Sequence, residues 1–367
     1  MIKNWNKTLI IILLFILSII SIISIYSAKN SKELVSRQLL WYILGFLIIF
    51  LSKNIKFKKI INYSNLLYII GNCLLALLLV FGTKINGSKC WFIIPGIGSV
   101  QPSEFMKLFL ILENARIFKN HRKKYPNSTF KSDLILIAII FGITLIPSIL
   151  TFLQPDTGIV LIYFLISFVM LFVYGIKKSI FIIIISLFLI FISFFLFFYF
   201  NYQNKFIDIF GTSFFYRIDR ILDWSSKSGM QLKNATSAIK SAGLFGFGLN
   251  KTPIYIPEAH TDFIFSVYSS NTGFVGSLIL ILVIISFNTI LFYTAVKTKD
   301  EIYKYIIIGF LIMIIYQEIQ NISMNVGLLP ITGITLPFIS YGGSSLLSYI
   351  LAIAVILNYN NKQKNAF

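Results

Sequence analysis

Apolar stretches long enough to cross a bilayer recur along the chain near 8–27, 36–52, 65–82, 103–118, 133–153, 156–174, 179–202, 264–296, 305–324 and 341–359. Short polar segments rich in Lys, Asn, Ser and Gly separate them. A bilayer core of ~30 Å needs about 20 apolar residues in helical form. Helix is the predicted form because a lone strand leaves its backbone N–H and C=O groups unsatisfied in lipid. The pattern predicts an all-α polytopic membrane protein of about ten transmembrane helices, folded as a single membrane domain over 1–367. Two departures from the pattern stand out. Residues 203–261 form a long loop between spans seven and eight. Residues 325–344 are apolar and uncharged but broken by Pro330, Gly333, Pro337, Gly342 and Gly343, which predicts a re-entrant or cavity-lining segment rather than a continuous helix.

Composition agrees with the pattern. Hydrophobic residues make up 57% of the 367 positions and charged residues 12%, against about 25% charged in a soluble domain; mean hydropathy is +0.84. The net charge of +19 has no soluble basic face on which to meet nucleic acid, so that class is excluded. Its distribution instead predicts topology and attraction to anionic headgroups. With both termini cytoplasmic, basic clusters such as Lys53 to Lys59 and Arg116 to Lys131 fall inside, and the short outer loops hold few basic residues. The first 27 residues read as an uncleaved first helix rather than a signal peptide. Three segments then share the outer face and are read as non-helical: 86–107, 203–261 and 325–347. Together they predict a cavity open to the outer leaflet. Cys73 and Cys90 lie at different depths, so no disulfide is expected. No metal-ligand spacing exists; the sequence requires no cofactor, and a divalent cation is compatible with it.

Only 13 residues are acidic, and ionisable groups at membrane depth are functional candidates. Glu104 and Lys107 stand three apart on one helix face, a spacing that serves equally for an internal ion pair and for a site. Glu113 and Arg116 repeat it near the cytoplasmic end, where a snorkelling pair is the plain account. Asp156, in "QPDTG", and Asp262, in "PEAHTDF", each precede a helix start, where an N-cap accounts for either. Glu318 lies late in span nine and is read as facing the cavity. Asp262 rises above a capping role through its context. Span eight would be ~50 Å long if wholly helical, so its first turns stand outside the hydrocarbon, and "SSNTG" (269–273) is a place for it to bend. A partly dehydrated carboxylate there is a better base. Transfer from a pyrophosphate-linked sugar needs one base and cations for the leaving group. Asp262 with Lys89, Lys107, Arg217, Arg220, Lys233 and Lys240 supplies that set on the outer face.

The blocks "NGSKCWF…QPSEFMK", "QPDTG", "GMQLKNATSAIKSAGLFGFGL", "PEAHTDFIF" and "GLLPITGITLPFISYGGSSLL" together resemble the SEDS family (shape, elongation, division, sporulation), which includes FtsW and RodA, over nearly the whole chain. The resemblance implies ten helices in the bacterial cytoplasmic membrane. It also implies glycosyltransferase activity that polymerises lipid II on the outer face, with an undecaprenyl-pyrophosphate-linked glycan as donor. The implied partners are a class B penicillin-binding protein, which crosslinks, and other divisome or elongasome proteins. Asp262 matches the family's essential aspartate, Glu104 and Lys107 its cavity pair, Trp91 its tryptophan and Gln231 the glutamine of "GYQ". Two departures are visible. Cys90 stands where the family usually has Arg, leaving Lys89 as a point charge beside it. Ser270 and Asn271 stand where it usually has two glutamates. "PEAHTDF" is closer to the division branch and "MNVGLLP" to the elongation branch, with division ahead by a narrow margin. Two other functions stay open: a lipid II flippase, which needs a polar path through both leaflets, and a non-catalytic scaffold, which needs no base.

Overall fold

The computed structural model describes residues 4–53, 55, 57–85, 88–95, 98–212, 214, 215, 218 and 229–358. It is nearly all helical. The chain runs α1 (Asn4–Lys29), α2 (Lys32–Ser52), a short α3 (Phe57–Asn62) and α4 (Ser64–Phe81). Three short strands follow, β1 (Thr83–Ile85), β2 (Ser88–Ile94) and β3 (Gly98–Val100), and then α5 (Pro102–Lys124), α6 (Phe130–Phe152), α7 (Thr157–Tyr174) and α8 (Lys178–Asn201). The long loop carries α9 (Gln203–Phe210) and α10 (Met230–Ser241). The chain continues with α11 (Ile264–Lys297), α12 (Glu301–Asn325) and α13 (Gly343–Asn358).

Each predicted apolar segment coincides with one long helix. Among the described residues, eight helices are long and apolar enough to cross a membrane. The two outside that count are α5, which is too polar, and α13, a shorter apolar helix of 16 residues. The expectation of three non-helical segments is corrected in part. The loop 203–261 contains α9 and α10, and the described residues of 86–107 include β2 and β3, which with β1 form a small antiparallel sheet, and the start of α5. The reading missed α10 because its apolar stripe is short. Leu232, Ala235 and Ala238 are buried at helical spacing, and Ala235 and Ala238 join Phe263 and Val267 at the start of α11.

Local chemistry sets the helix ends. Thr129 and Ser132 form a reciprocal capping box at α6, Asp300 caps α12 through the Tyr303 N–H at 3.0 Å, and Gly175 closes α7 at φ +91°. Pro147 lies inside α6 and cannot donate to Ile143 O; Tyr68 Oη takes that role, donating to Ile143 O at 2.8 Å. The polar helix α5 lies at the centre of the bundle, against α4, α6, α7, α12 and α13. Glu104, Lys107 and Glu113 along it are buried and therefore meet protein rather than lipid. The apolar helix α8 lies at the periphery, with only Ile180, Phe181 and Tyr199 buried; Phe181 meets Phe168 and Phe172 of α7 edge-on.

The segment 326–342 between α12 and α13 is irregular yet largely buried. Its backbone is satisfied by side chains from several helices. Tyr42 Oη donates to Phe338 O, Ser21 Oγ to Ile339 O at 2.8 Å, Asn321 Nδ2 to Ile334 O at 2.8 Å and Gln320 Nε2 to Pro330 O at 3.0 Å. This is the condition for non-helical backbone in a membrane protein.

Candidate active site

Asp262 lies two residues before α11, half-buried. The helix is capped at Phe263 with no side-chain hydrogen bond, so Asp262 does not act as the N-cap its position suggested. Among the described residues no hydrogen bond or ion pair engages its carboxylate. Its backbone, in contrast, is tightly held. Asn321 Nδ2 and Asn325 Nδ2 donate to Asp262 O at 2.8 and 3.0 Å, Ser340 Oγ donates to Thr261 O at 2.6 Å, and the Tyr341 N–H reaches His260 O at 2.9 Å. Asn325 Oδ1 accepts from both the N–H and the Oγ of Ser266. The carboxylate faces Gly333, at φ +70°, where a Cβ would stand 3.7 Å from Asp262 Oδ2. Burial, and to a smaller degree the neighbouring Glu258 carboxylate, push the Asp262 carboxyl up to about 6.

Glu104 and Lys107 form a buried ion pair at 2.8 Å in the first turns of α5, with the Lys107 side chain wholly inaccessible. Lys107 Nζ also donates to Gln317 Oε1 at 3.4 Å and lies 5.2 Å over the Tyr349 ring; Gln317 Nε2 donates to Tyr349 Oη at 2.9 Å. Gln317, Asn321 and Asn325 succeed one another at i, i+4 and i+8, so a single face of α12 carries the partner of Lys107 and both partners of the Asp262 backbone. The sequence reading did not single out these three residues. Their signal was the polar stripe in "YQEIQNISMN", an unusual pattern in an otherwise apolar span.

Asp156 behaves differently. It caps α7, accepting from the Ile159 N–H at 3.3 Å, and it accepts from Gln101 Nε2 at 2.9 Å. Burial pushes its carboxyl up to about 6; Glu104 adds to the rise, while the Ile159 hydrogen bond, Lys107 and Gln101 moderate it.

Of the other candidates, Lys89 and Cys90 lie on opposite faces of β2: Lys89 is exposed and Cys90 is buried, with Sγ 3.1 Å from Gln154 O. A strand alternates its side chains, so Lys89 does not stand in for a residue at position 90. Trp91 is half-buried on β2, which pairs it with Thr83. Gln231 is half-buried in the first turn of α10, and Lys233 and Lys240 on that helix are exposed. Arg217 and Arg220 lie outside the described residues. Glu113 pairs with Arg116 at 2.5 Å and accepts from Ser64 Oγ at 2.9 Å, a closed arrangement midway along α5. Glu318, read as facing the cavity, meets Asn288 of α11 at 2.6 Å instead.

Ser270 and Asn271 lie at a break in α11, where Gly273 adopts φ 67°, ψ −164°. Asn271 is buried, accepting from Thr252 Oγ1 at 3.0 Å and donating to Ser27 Oγ at 2.6 Å. Both partners are neutral, and the amide uses its donor and its acceptor.

The sequence model for the FtsW/RodA/SpoVE family of cell cycle proteins matches residues 2–365. The stage V sporulation protein E of Bacillus subtilis (strain 168) is 33% identical over 353 residues, covering 90% of this chain and 87% of its own. The probable peptidoglycan glycosyltransferase FtsW of Coxiella burnetii (strain RSA 493 / Nine Mile phase I) is 30% identical, with the same coverage of each chain. Among solved structures, a chain from a peptidoglycan synthase complex that coordinates polymerization and crosslinking superposes with a TM-score of 0.76 at 27% identity, covering 95% of both chains. The rod shape determining protein RodA of Thermus thermophilus superposes with a TM-score of 0.69 at 26% identity, covering 95% of this chain and 94% of its own. The chain belongs to the FtsW/RodA/SpoVE family of polytopic membrane proteins.

Proposed function

We propose that this protein is a peptidoglycan glycosyltransferase of the bacterial cytoplasmic membrane, polymerising lipid II into glycan strands for division or elongation. The proposal takes all ten long helices as crossing the membrane, both termini as cytoplasmic and the Asp262 side as external. The single observation that carries the chemistry is Asp262 itself. The backbone of His260, Thr261 and Asp262 is fixed by four groups, the side chains of Asn321, Asn325 and Ser340 and the Tyr341 N–H, while the half-buried Asp262 carboxylate has no internal partner among the described residues. A base so held costs little reorganisation when a substrate hydroxyl arrives.

In the proposed reaction Asp262 takes the proton of the GlcNAc 4-hydroxyl of lipid II. The freed oxygen bonds to the anomeric carbon of the lipid-linked glycan, and that carbon's bond to the pyrophosphate oxygen breaks, releasing undecaprenyl pyrophosphate. A carboxyl near 6 is deprotonated at neutral pH while remaining a useful base. Lys107 is already neutralised by Glu104, so its proposed role is to hold the cavity wall through Gln317. Of the cations named for the pyrophosphate from the sequence, Lys89, Lys233 and Lys240 are exposed and are proposed to meet it. A class B penicillin-binding protein is the proposed crosslinking partner, and the resemblance of this fold to a chain of a peptidoglycan synthase complex supports it.

The test is glycan-strand formation from lipid II by purified protein, with its partner, comparing wild type with Asp262→Asn. Strands from the wild type and none from a folded variant are expected. Equal polymerisation by the variant excludes the base, and flipping of lipid II without polymerisation returns the protein to the transporter reading.

A further inference from the structure

The part of the long loop that follows α10 is built unlike a segment that stands in water. Between 243 and 255 its large side chains point outward: Leu244, Phe245, Leu249 and Tyr255 are exposed, Phe245 at 77% and Tyr255 at 80%. All the charged residues from 229 to 257 are basic: Lys233, Lys240 and Lys251. The loop's position relative to the bilayer follows from its attachment to α11. At the Gly273 break the helix leaves backbone groups unpaired, and the loop pairs them. Phe247 and Gly248 N–H donate to Ser270 O and Asn271 O at 3.0 Å each, and Phe274 and Val275 N–H donate to Gly243 O and Leu244 O at 3.0 and 3.1 Å. The two backbones touch at Gly246 and Gly273, where a Cβ on either would run into the other strand of chain.

Exposed apolar side chains on α11 run from Phe274 to Val296. At ~1.5 Å per residue that stretch is roughly 33 Å long, which matches a hydrocarbon core of ~30 Å. Phe274 therefore marks one edge of the core, and the loop is bonded at that edge with its own apolar side chains continuing the lipid-facing surface of α11.

We propose that residues 243–255 form an interfacial loop that inserts Leu244, Phe245 and Leu249 into the membrane leaflet on the Asp262 side, with Lys240 and Lys251 meeting anionic lipid headgroups. Amphipathic segments that lie in the interface have this composition, apolar on one side with lysines to snorkel, and each lysine near an anionic surface adds attraction. The loop read from sequence as extracytoplasmic is thus partly a membrane-contact element. It fixes the height of the break in α11, and so of Asp262, above the hydrocarbon.

Depth measurement tests this. Phe245→Cys is made in a Cys73→Ala background, spin-labelled, and the full-length protein reconstituted in vesicles of phosphatidylcholine with phosphatidylglycerol. Cys90 does not compete for the label, because burial pushes its thiol up to about 12. Power saturation then compares access of oxygen, which concentrates in lipid, with a water-soluble nickel chelate. Ile279→Cys, exposed on α11, is the lipid reference, and Lys84→Cys, exposed on β1, the water reference. The proposal expects Phe245→Cys to follow Ile279→Cys, with an oxygen-to-nickel ratio several-fold above that at Lys84. Leu249→Cys, a second probe that leaves Phe245 intact, is expected to agree. Replacing Lys240 and Lys251 by Gln is expected to raise nickel access at Leu249→Cys in these vesicles and to leave it unchanged in phosphatidylcholine alone. Nickel access at both probes equal to that at Lys84 overturns the proposal and leaves the apolar face to a protein partner. Exclusion of both reagents overturns it as well, because that reports burial against another protein surface or a second copy.

Discussion

Asp156 and Asp262 occupy the same position in the pattern of the chain. Each is a carboxylate one or two residues before a long apolar helix, and an N-cap accounts for either on sequence alone. Burial pushes both up to about 6. The structure separates them by their partners. Asp156 is engaged on both sides, by the Ile159 N–H and by Gln101 Nε2, and its hydrogen bonds hold two elements together. Asp262 sits one residue too early to cap α11, and the network around it grips the backbone and leaves the carboxylate open. A shared perturbation therefore accompanies opposite roles, and the useful distinction is whether the acceptor oxygens are already occupied.

The sharpest way to break this comparison is the same substitution at both places. Asp262→Asn is expected to lower polymerisation by about 10²–10⁴-fold, the range for loss of a general base, in a steady-state lipid II assay. Asp156→Asn is expected to leave the rate within a few-fold of wild type, because Asn also caps well. Equal losses at both positions would erase the distinction.

The next largest effect concerns the pair beside them. Lys107→Met leaves Glu104 buried and unpaired and is expected to cost about 3–5 kcal/mol of stability, read as a fall in the thermal unfolding midpoint in detergent. Glu104→Gln with Lys107→Met is expected to recover most of it. If the double variant is as unstable as the single one, the pair does not act as a closed unit.

Asp156→Ala comes next, with an expected loss of about 0.5–2 kcal/mol from the missing cap in the same unfolding measurement and a smaller effect on rate than Asp262→Asn.

The smallest effects lie in pH. In its proposed role Asp262 is ionised when it accepts a proton, so kcat/KM is expected to rise with pH below about 6 and level off above it. That acid limb should persist in Asp156→Asn. Stability runs in the opposite sense. A carboxyl raised from 3.8 to about 6 holds its proton more tightly in the folded state, so its favourable contribution is complete below pH 3.8 and is lost as pH rises to about 6. Asp262→Asn is therefore expected to unfold at the same or a higher temperature than wild type at pH 7.5, while being inactive.

Much of this architecture was legible in the chain. The apolar runs predicted every long helix, because in lipid the need to satisfy the backbone leaves little choice of form. Pro330, Gly333 and Pro337 fall within the irregular stretch 326–342, and "SSNTG" contains the break in α11 at Gly273. What was less legible depended on contacts distant in sequence. The central place of α5 follows from partners on α12 and α13 that lie far from it in sequence. The alternation along β2 that turns Cys90 inward and Lys89 outward needed the small sheet, which three short strands announce weakly. The replacement of two expected acids by Ser270 and Asn271 looked like a loss near the candidate base. In the folded chain Asn271 is tied to Thr252 and Ser27 at the helix break, where a neutral amide meets neutral partners.

The irregular segment 326–342 also has a consequence for how the protein is made. The groups that hold it in place come from the first two helices as well as from α12: Ser21 bonds Ile339 across 318 positions, and Gln38 bonds Ser340 across 302. Ser340 and Tyr341 in turn fasten Thr261 and His260, the two residues just before Asp262. Local contacts form early and pairings this remote form late. The candidate base is thus locked only when almost the whole chain has been synthesised and its first helices have waited in the membrane to receive the last. A nascent or truncated chain that lacks this segment carries Asp262 without the clasp that holds its neighbours Thr261 and His260.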